Sequence, residues 1–446
     1  MPLTDMVFPV RMERIAVAAP LAALRPVLVA VAEFGGVDFD DDADAHADQR
    51  RALSPGEPDL EELHRAGRTD LLAGEEELRR RADAVVRRGA VFATAGWCPA
   101  DRCPQLRQRL AGLGGAVVRL ARPRGIDPPS LLREAAFTPL VRTYGTVAYP
   151  DVDPSLFAGV AYVVMFGMMF GDAGHGLLLL AGALALRTGW WRLPARLRRV
   201  WPFIAGAGLA SALFGALYGE FFGPTGVLPV LWIAPMEQPL RLLIWAVGLG
   251  AVLLSLAYVM AIVNRWREGG MRTALYASSG IAGSSVFLGL GLLAGGAHLG
   301  AGLLLVIGAC TAGIGLVLAA IGLFAGSGGG AAGVLQTAVQ LFDLVIRLGA
   351  NLVSFARLAA FGLTHAALGL LVWQATAALW TGGVVAAIAA VLVFVVGNAV
   401  AFSLEALVAG VQALRLEFYE LFSRMFEIEG RPFRPWRVPT LEERSS

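Results

Sequence analysis

Lysine is absent from this chain: all 37 basic residues are arginine. A P-loop of the form GxxxxGK[ST] uses its lysine to reach the β and γ phosphates, so the chain carries no such nucleotide site of its own. Charge of either sign is sparse at 16% of residues, and residues 273–342 have none apart from the titratable His298. The formal net charge of +2 argues against a nucleic-acid partner. Cysteine is scarce as well. Cys98 and Cys103 stand C-x4-C in a polar loop and Cys310 lies in an apolar run, with no further Cys or His nearby to complete a metal site. The sequence therefore predicts packed or solvated thiols, with no metal and no cofactor.

Apolar residues fill the space that charge leaves. They make up 56% of the chain, and the mean hydropathy is +0.63. Most of the Asp, Glu and Arg falls within residues 1–150, which marks a polar head ahead of a membrane part. In the head, RMERIAVAAP alternates like a strand and RPVLVAVAEFGG follows as an amphipathic helix ending at Gly35 and Gly36. Pro20, Arg25 and Pro26 interrupt the apolar run 15–32, which excludes a spanning helix or signal peptide there. The acidic run DFDDDADAHAD lacks the EF-hand glycine and closing glutamate, so it reads as a solvated loop. Residues 58–88 form one or two charged helices. AVFATAGW and GAVVRLARPR are strands flanking the helix CPQLRQRLAGLG, which completes a small α+β domain over 1–150.

The membrane domain is expected over 151–437, with a tail at 438–446. Apolar stretches fall at about 157–187, 200–222, 239–264, 274–298, 300–325, 334–379 and 383–424. A span needs about 20 residues. Arginine concentrates in RTGWWRLPARLRRVW, NRWREGGMR and RPFRPWR and is missing from GPTGVLPVLWIAPMEQP, so the first three are assigned to the cytoplasm. With the head also inside, residues 157–187 must enter and return as a hairpin. MFGMMFGDAGHG supplies the turn, with Asp172 and His175 expected to satisfy freed backbone groups at its tip. Trp190, Trp191, Trp201 and Trp266 fit an interfacial belt. The prediction is a polytopic α-helical membrane protein of about eight transmembrane helices. Its last two exceed 40 residues, roughly 60 Å, and must tilt, break or project into the cytoplasm.

Polar groups inside those last two elements call for a function. Burying Arg357 and Arg415 in apolar helices costs about 2.5–3.5 kcal/mol each on an insertion scale. Asp343, Arg357 and His365 share one element, Asp343 and Arg357 within about 40° of one face; Glu405, Arg415, Tyr419 and Glu420 share the other. Carboxylates and histidine exchange protons while arginine stays charged, so an arginine between two proton-accessible half-paths blocks leakage and displaces protons from passing carboxylates. Blander readings are snorkelling for Arg415, an i,i+4 pair for Asp343 with Arg347, and cross-helix hydrogen bonds for Asn351, Ser354 and Asn398.

These motifs resemble a known family, the membrane subunit called a or I of rotary V-type and A-type ATPases. TYGTVAYPDVDPSLF is similar to the family's entry into the membrane, FGMMFGDAGHG to its first hairpin and FGALYGEFFG to the following helix. SFARLAAFGLTHA and LEALVAGVQALRLEFYELFSRMFEIEGRPFRPW resemble its two arginine motifs. The resemblance implies essential arginines at Arg357 and Arg415, with path groups at Asp343, His365, Glu405 and Glu420. It also implies a noncatalytic stator in the cell membrane with cytoplasmic termini, facing the carboxylates of a proteolipid ring. Its other partners would be peripheral-stalk and central-rotor subunits and membrane lipid. The head departs from the pattern: between its two flanking segments the family's long coiled coil is nearly absent, which implies a short form. Ion identity, proton or sodium, and the direction of pumping are not legible. A stand-alone secondary transporter is the alternative, and would predict paired broken helices in two related halves, of which the sequence shows no repeat. A membrane anchor that has lost coupling is a third reading.

Overall fold

The structure, a computed structural model, describes residues 8–40, 51–54, 56–123, 125–134, 137–189, 198, 200–426 and 429–439. Most of the acidic run, Trp190, Trp191 and residues 440–446 of the expected tail lie outside the described residues. The chain falls into two compact units.

One unit takes in the described residues of 1–133, 146–149 and 429–446. Its strands are β1 (Met12–Pro20), β2 (Asp38–Phe39), β3 (Val86–Arg88), β4 (Val91–Pro99) and β5 (Ala116–Arg119). They form one antiparallel sheet in the order β2-β4-β1-β5, with β3 pairing on β4. Ile15, Val17 and Ala19 bury one face of β1, where they meet α1 (Leu24–Phe34) and α4 (Cys103–Ala111). Gly35 caps α1 in the left-handed region at φ 54°. The charged stretch after residue 58 becomes α2 (Leu60–Arg65) and α3 (Thr69–Ala84). Asp59 caps α2 by accepting from the Glu61 and Glu62 amides. Cys98 and Cys103 are packed into this core rather than solvated.

Residues 429–437 correct the expected boundary of the membrane part. Trp436 is buried, its ring edge-on to Phe39 at 5.8 Å, and its amide donates to the Val37 carbonyl at 2.8 Å. Val438 joins the same core. A short segment without regular structure cannot bury such side chains by itself, so it completes the sheet domain.

The second unit, the described residues of 134–145 and 150–428, is helical. After α5 (Thr138–Tyr144) come two short apolar helices, α6 (Ser155–Met169) and α7 (Ala173–Thr188). Then follow α8 (Trp201–Tyr218), α9 (Pro239–Tyr276), α10 (Ile281–Leu299), α11 (Gly302–Gly326), α12 (Gly330–Ser354), α13 (Ala356–Trp380) and α14 (Val384–Leu416). Among the described residues, six elements are long and apolar enough to cross a membrane, with α12–α13 and α14 through Met425 each counted as one. With the α6–α7 pair, the protein is polytopic as its sequence predicts. Small residues let the backbones approach: a Cβ on Gly176 of α7 would stand 2.3 Å from the Ala212 nitrogen of α8.

The penultimate element is not one helix. Phe355 interrupts it between Ser354 and Ala356. Its fully buried ring packs against α9, where a Cβ on Gly250 would meet it at 2.3 Å. The common face drawn through Asp343 and Arg357 is therefore broken between them.

Candidate functional site

Asp172 ends the α6–α7 hairpin and is wholly buried. Its Oδ1 accepts from the His175 amide at 2.9 Å, capping α7, and from the Phe222 amide at 3.0 Å; its Oδ2 accepts from the Gly223 amide at 2.7 Å. One carboxylate thus ties the hairpin tip to the loop after α8, where a neutral side chain would leave amides unpaired. The expectation for the His175 side chain is corrected. Neither of its ring nitrogens makes a hydrogen bond, although the residue is 2% exposed.

His175 instead faces His365 of α13, ring centroids 5.7 Å apart, within a wall formed by Phe170, Phe222 and Phe402. His365 is buried, and its Nδ1 pairs with Oε2 of Glu405 on α14. This joins two of the sequence candidates directly. Glu220 also faces His365 and is buried just beyond α8. No candidate list drawn from the sequence included it, yet the signal was present in FGALYGEFFG: an acidic residue inside an apolar run, the same anomaly that singles out Arg357.

A second junction lies at the start of α13. Arg357 Nη2 donates to Glu420 Oε1 at 2.7 Å. Glu420 sits on a π-helical turn, Glu417–Phe422, that follows α14. The wider turn shifts the side-chain register at the end of a long helix, a device frequent at functional sites. It also buries Glu417 completely, with neither carboxyl oxygen hydrogen-bonded. Sequence periodicity missed Glu417 because a regular 3.6-residue helix gives no sign of a π turn.

Two candidates stand apart from these junctions. Arg415 is exposed near the end of α14 and makes no ion pair among the described residues. It continues a stripe of exposed apolar residues, Leu404, Val408 and Val411, at helical spacing. Asp343 is half exposed and pairs with Arg347 one turn along α12 at 2.6 Å. The structure does not bring it to the other path groups. Asn398, expected to bond across helices, donates to the Phe394 carbonyl of its own helix at 2.9 Å.

The sequence is similar to those of known proteins. Residues 84–222 match the model of the V-type ATPase 116kDa subunit family. An A-type ATP synthase subunit I from Aeropyrum pernix is 28% identical over 71% of this chain and 51% of that protein. One from Pyrococcus horikoshii is 27% identical over 82% of this chain and 57% of its own length. One from Archaeoglobus fulgidus is 32% identical over 142 residues, 30% of this chain and 20% of that protein. The chain spans about half the length of the curated relatives it matches over most of itself.

Proposed function

The chain belongs to the V/A-type ATPase subunit I family, and from that membership we propose that it is the ion-translocating stator subunit of a rotary ATPase. On this reading it is noncatalytic, and nucleotide chemistry takes place on other subunits. It sits in the cell membrane with both termini cytoplasmic and faces a proteolipid ring, alongside stalk and rotor subunits. The observation that carries the proposal is the pair of charged junctions joining α13 to α14 and to the π turn after it: Arg357 with Glu420, and His365 with Glu405.

These junctions divide the work. His365 and Glu405 form a proton-exchanging pair, while Arg357 holds Glu420. Arg415, exposed and unpaired beside an apolar stripe, is free to face the carboxylate of a passing ring subunit and favour its ionised form. Asp343 serves as a structural partner of Arg347 on α12. The transported ion in this scheme is a proton or sodium, set by the binding site of the ring.

The test is the Arg357→Ala variant in its complete ATPase, reconstituted in sealed vesicles. ATP-driven acidification is lost while the protein remains inserted and ATP hydrolysis by the detached catalytic part persists. Unchanged acidification would overturn the mechanism. Recovery of the chain without a proteolipid or nucleotide-binding subunits, under conditions that keep other complexes intact, would overturn the assembly.

A further inference from the structure

We infer that Asp172, His175 and His365 form a binding site for a transition-metal dication of the Zn2+ type. All three are buried, each offers one donor atom, and these atoms lie within 4.8 Å of one another. The residues come from the hairpin tip and from α13, nearly two hundred positions apart in sequence, so only the fold assembles them. The inference stands on these ligands and does not depend on ion translocation.

The chemistry of each donor supports it. His175 is 2% exposed, and neither ring nitrogen has a hydrogen bond of good geometry, with the Asn398 side chain as its neutral polar neighbour. Leaving a buried polar group unpaired is costly, about 1–3 kcal/mol, and a metal ion relieves it. On His365, Nδ1 is held by Glu405, which leaves Nε2 as the nitrogen open to coordination. A carboxylate that orients a histidine in this manner is the usual outer partner of a zinc-bound imidazole. Asp172 accepts three backbone N–H groups, and of the roughly four lone-pair sites on a carboxylate one remains on Oδ2.

Charge and geometry agree. Asp172, Glu220 and Glu405 put three carboxyl groups around two imidazoles within an aromatic wall, a setting that favours a dication. Two nitrogens and one oxygen select zinc, cobalt or copper over magnesium or calcium, whose sites are built from oxygen. A tetrahedral ion with bonds of about 2.0–2.1 Å sets its donors about 3.3 Å apart. His175 Nδ1 stands 3.9 Å from Asp172 Oδ1, the oxygen that two amides already occupy, so binding requires the imidazole to turn toward Oδ2. Three protein ligands leave a fourth position for water. A bound ion would occupy His365 and tether the hairpin to α13.

The test uses the full chain, purified in detergent and freed of metal with a chelator, then titrated with Co2+ and Zn2+. One Co2+ per chain should bind with the visible bands of a tetrahedral nitrogen and oxygen site, and Zn2+ should displace it. His175→Phe keeps an aromatic ring among its neighbours and should weaken binding at least tenfold. Glu405→Gln, which loosens the hold on His365, should weaken it about 10–100-fold. Should a variant fail to fold, X-ray absorption of the zinc-loaded wild type decides, by showing or failing to show two imidazoles on the ion. No stoichiometric binding, sulfur-to-metal bands from Cys98 and Cys103, or affinity unchanged in His175→Phe would each overturn the site. Because the readout is metal affinity, its failure is separate from failure of proton transport.

Discussion

Arg357 at the start of α13 and Glu420 on the π turn after α14 meet at 2.7 Å across 63 residues of sequence. The pair sits where one long element breaks and the other widens. Phe355, locked against Gly250, fixes where α13 begins and hence where Arg357 points. The π turn brings Glu420 to meet it. Glu420→Ala leaves a partly buried guanidinium, whose Nε already lacks a partner, without its counter-ion. A loss of about 3 kcal/mol is expected, at the low end for a broken buried pair because Arg357 keeps some exposure. Glu420→Gln, which retains a hydrogen-bond acceptor, should lose less. Thermal unfolding in detergent compares the two.

Asp172 offers a sharper contrast between charge and hydrogen bonding. Alanine there leaves the amides of His175, Phe222 and Gly223 unpaired in a buried place, each at a cost of about 1–3 kcal/mol. Asp172→Ala should therefore abolish recovery of monodisperse protein, whereas Asp172→Asn keeps one acceptor oxygen and should survive with reduced stability. Equal yields of the two variants by size-exclusion chromatography would show that the hairpin is held by packing alone.

Much of this was legible in the sequence, and the exceptions share a cause. Strand and helix periods located β1, α1, β4 and α4, and hydropathy located the apolar elements of the membrane part. Misplaced charge singled out Arg357, His365, Glu405 and Glu420, which the fold joins in two pairs. What the sequence hid was long-range or irregular. The break at Phe355 depends on a glycine in another helix, Gly250. The burial of Glu417 depends on a π turn. Asp343 lies at a path-like spacing from Arg357, but spacing along a helix predicts a shared face only while that helix runs unbroken.

Trp436 shows the same limit in the sheet domain. Its sequence context, RPFRPWR, reads as a basic segment after the last helix, yet the ring packs on Phe39 and the residue is 5% exposed. Trp436→Ala should cost about 3–5 kcal/mol, the range for removing a large aromatic side chain from a core. Its readout is faster proteolysis of the sheet domain, with the apolar helices unaffected. Trp436→Phe, which fills most of the space, should lose much less.

Asp151, just before α6, should make stability depend on pH in a direction opposite to that of a salt-bridged carboxylate. It is fully buried, and neither oxygen has a hydrogen-bond partner. Burial first, then the neighbouring Glu268 carboxyl, push its pKa from the ordinary 3.8 up to about 8, while Arg265 and Arg267 pull the other way. The folded protein therefore holds a proton that the unfolded chain has released. Stability is greatest below the ordinary value, falls as pH rises from about 4, and levels once the folded carboxyl ionises. Asp151→Asn mimics the protonated form at every pH, so it should remove this slope and unfold at a higher temperature than wild type at pH 8, with little difference at pH 4. Melting curves of both proteins across that range carry the test: parallel profiles would mean that Asp151 is ionised in the fold and that Arg265 or Arg267 neutralises it.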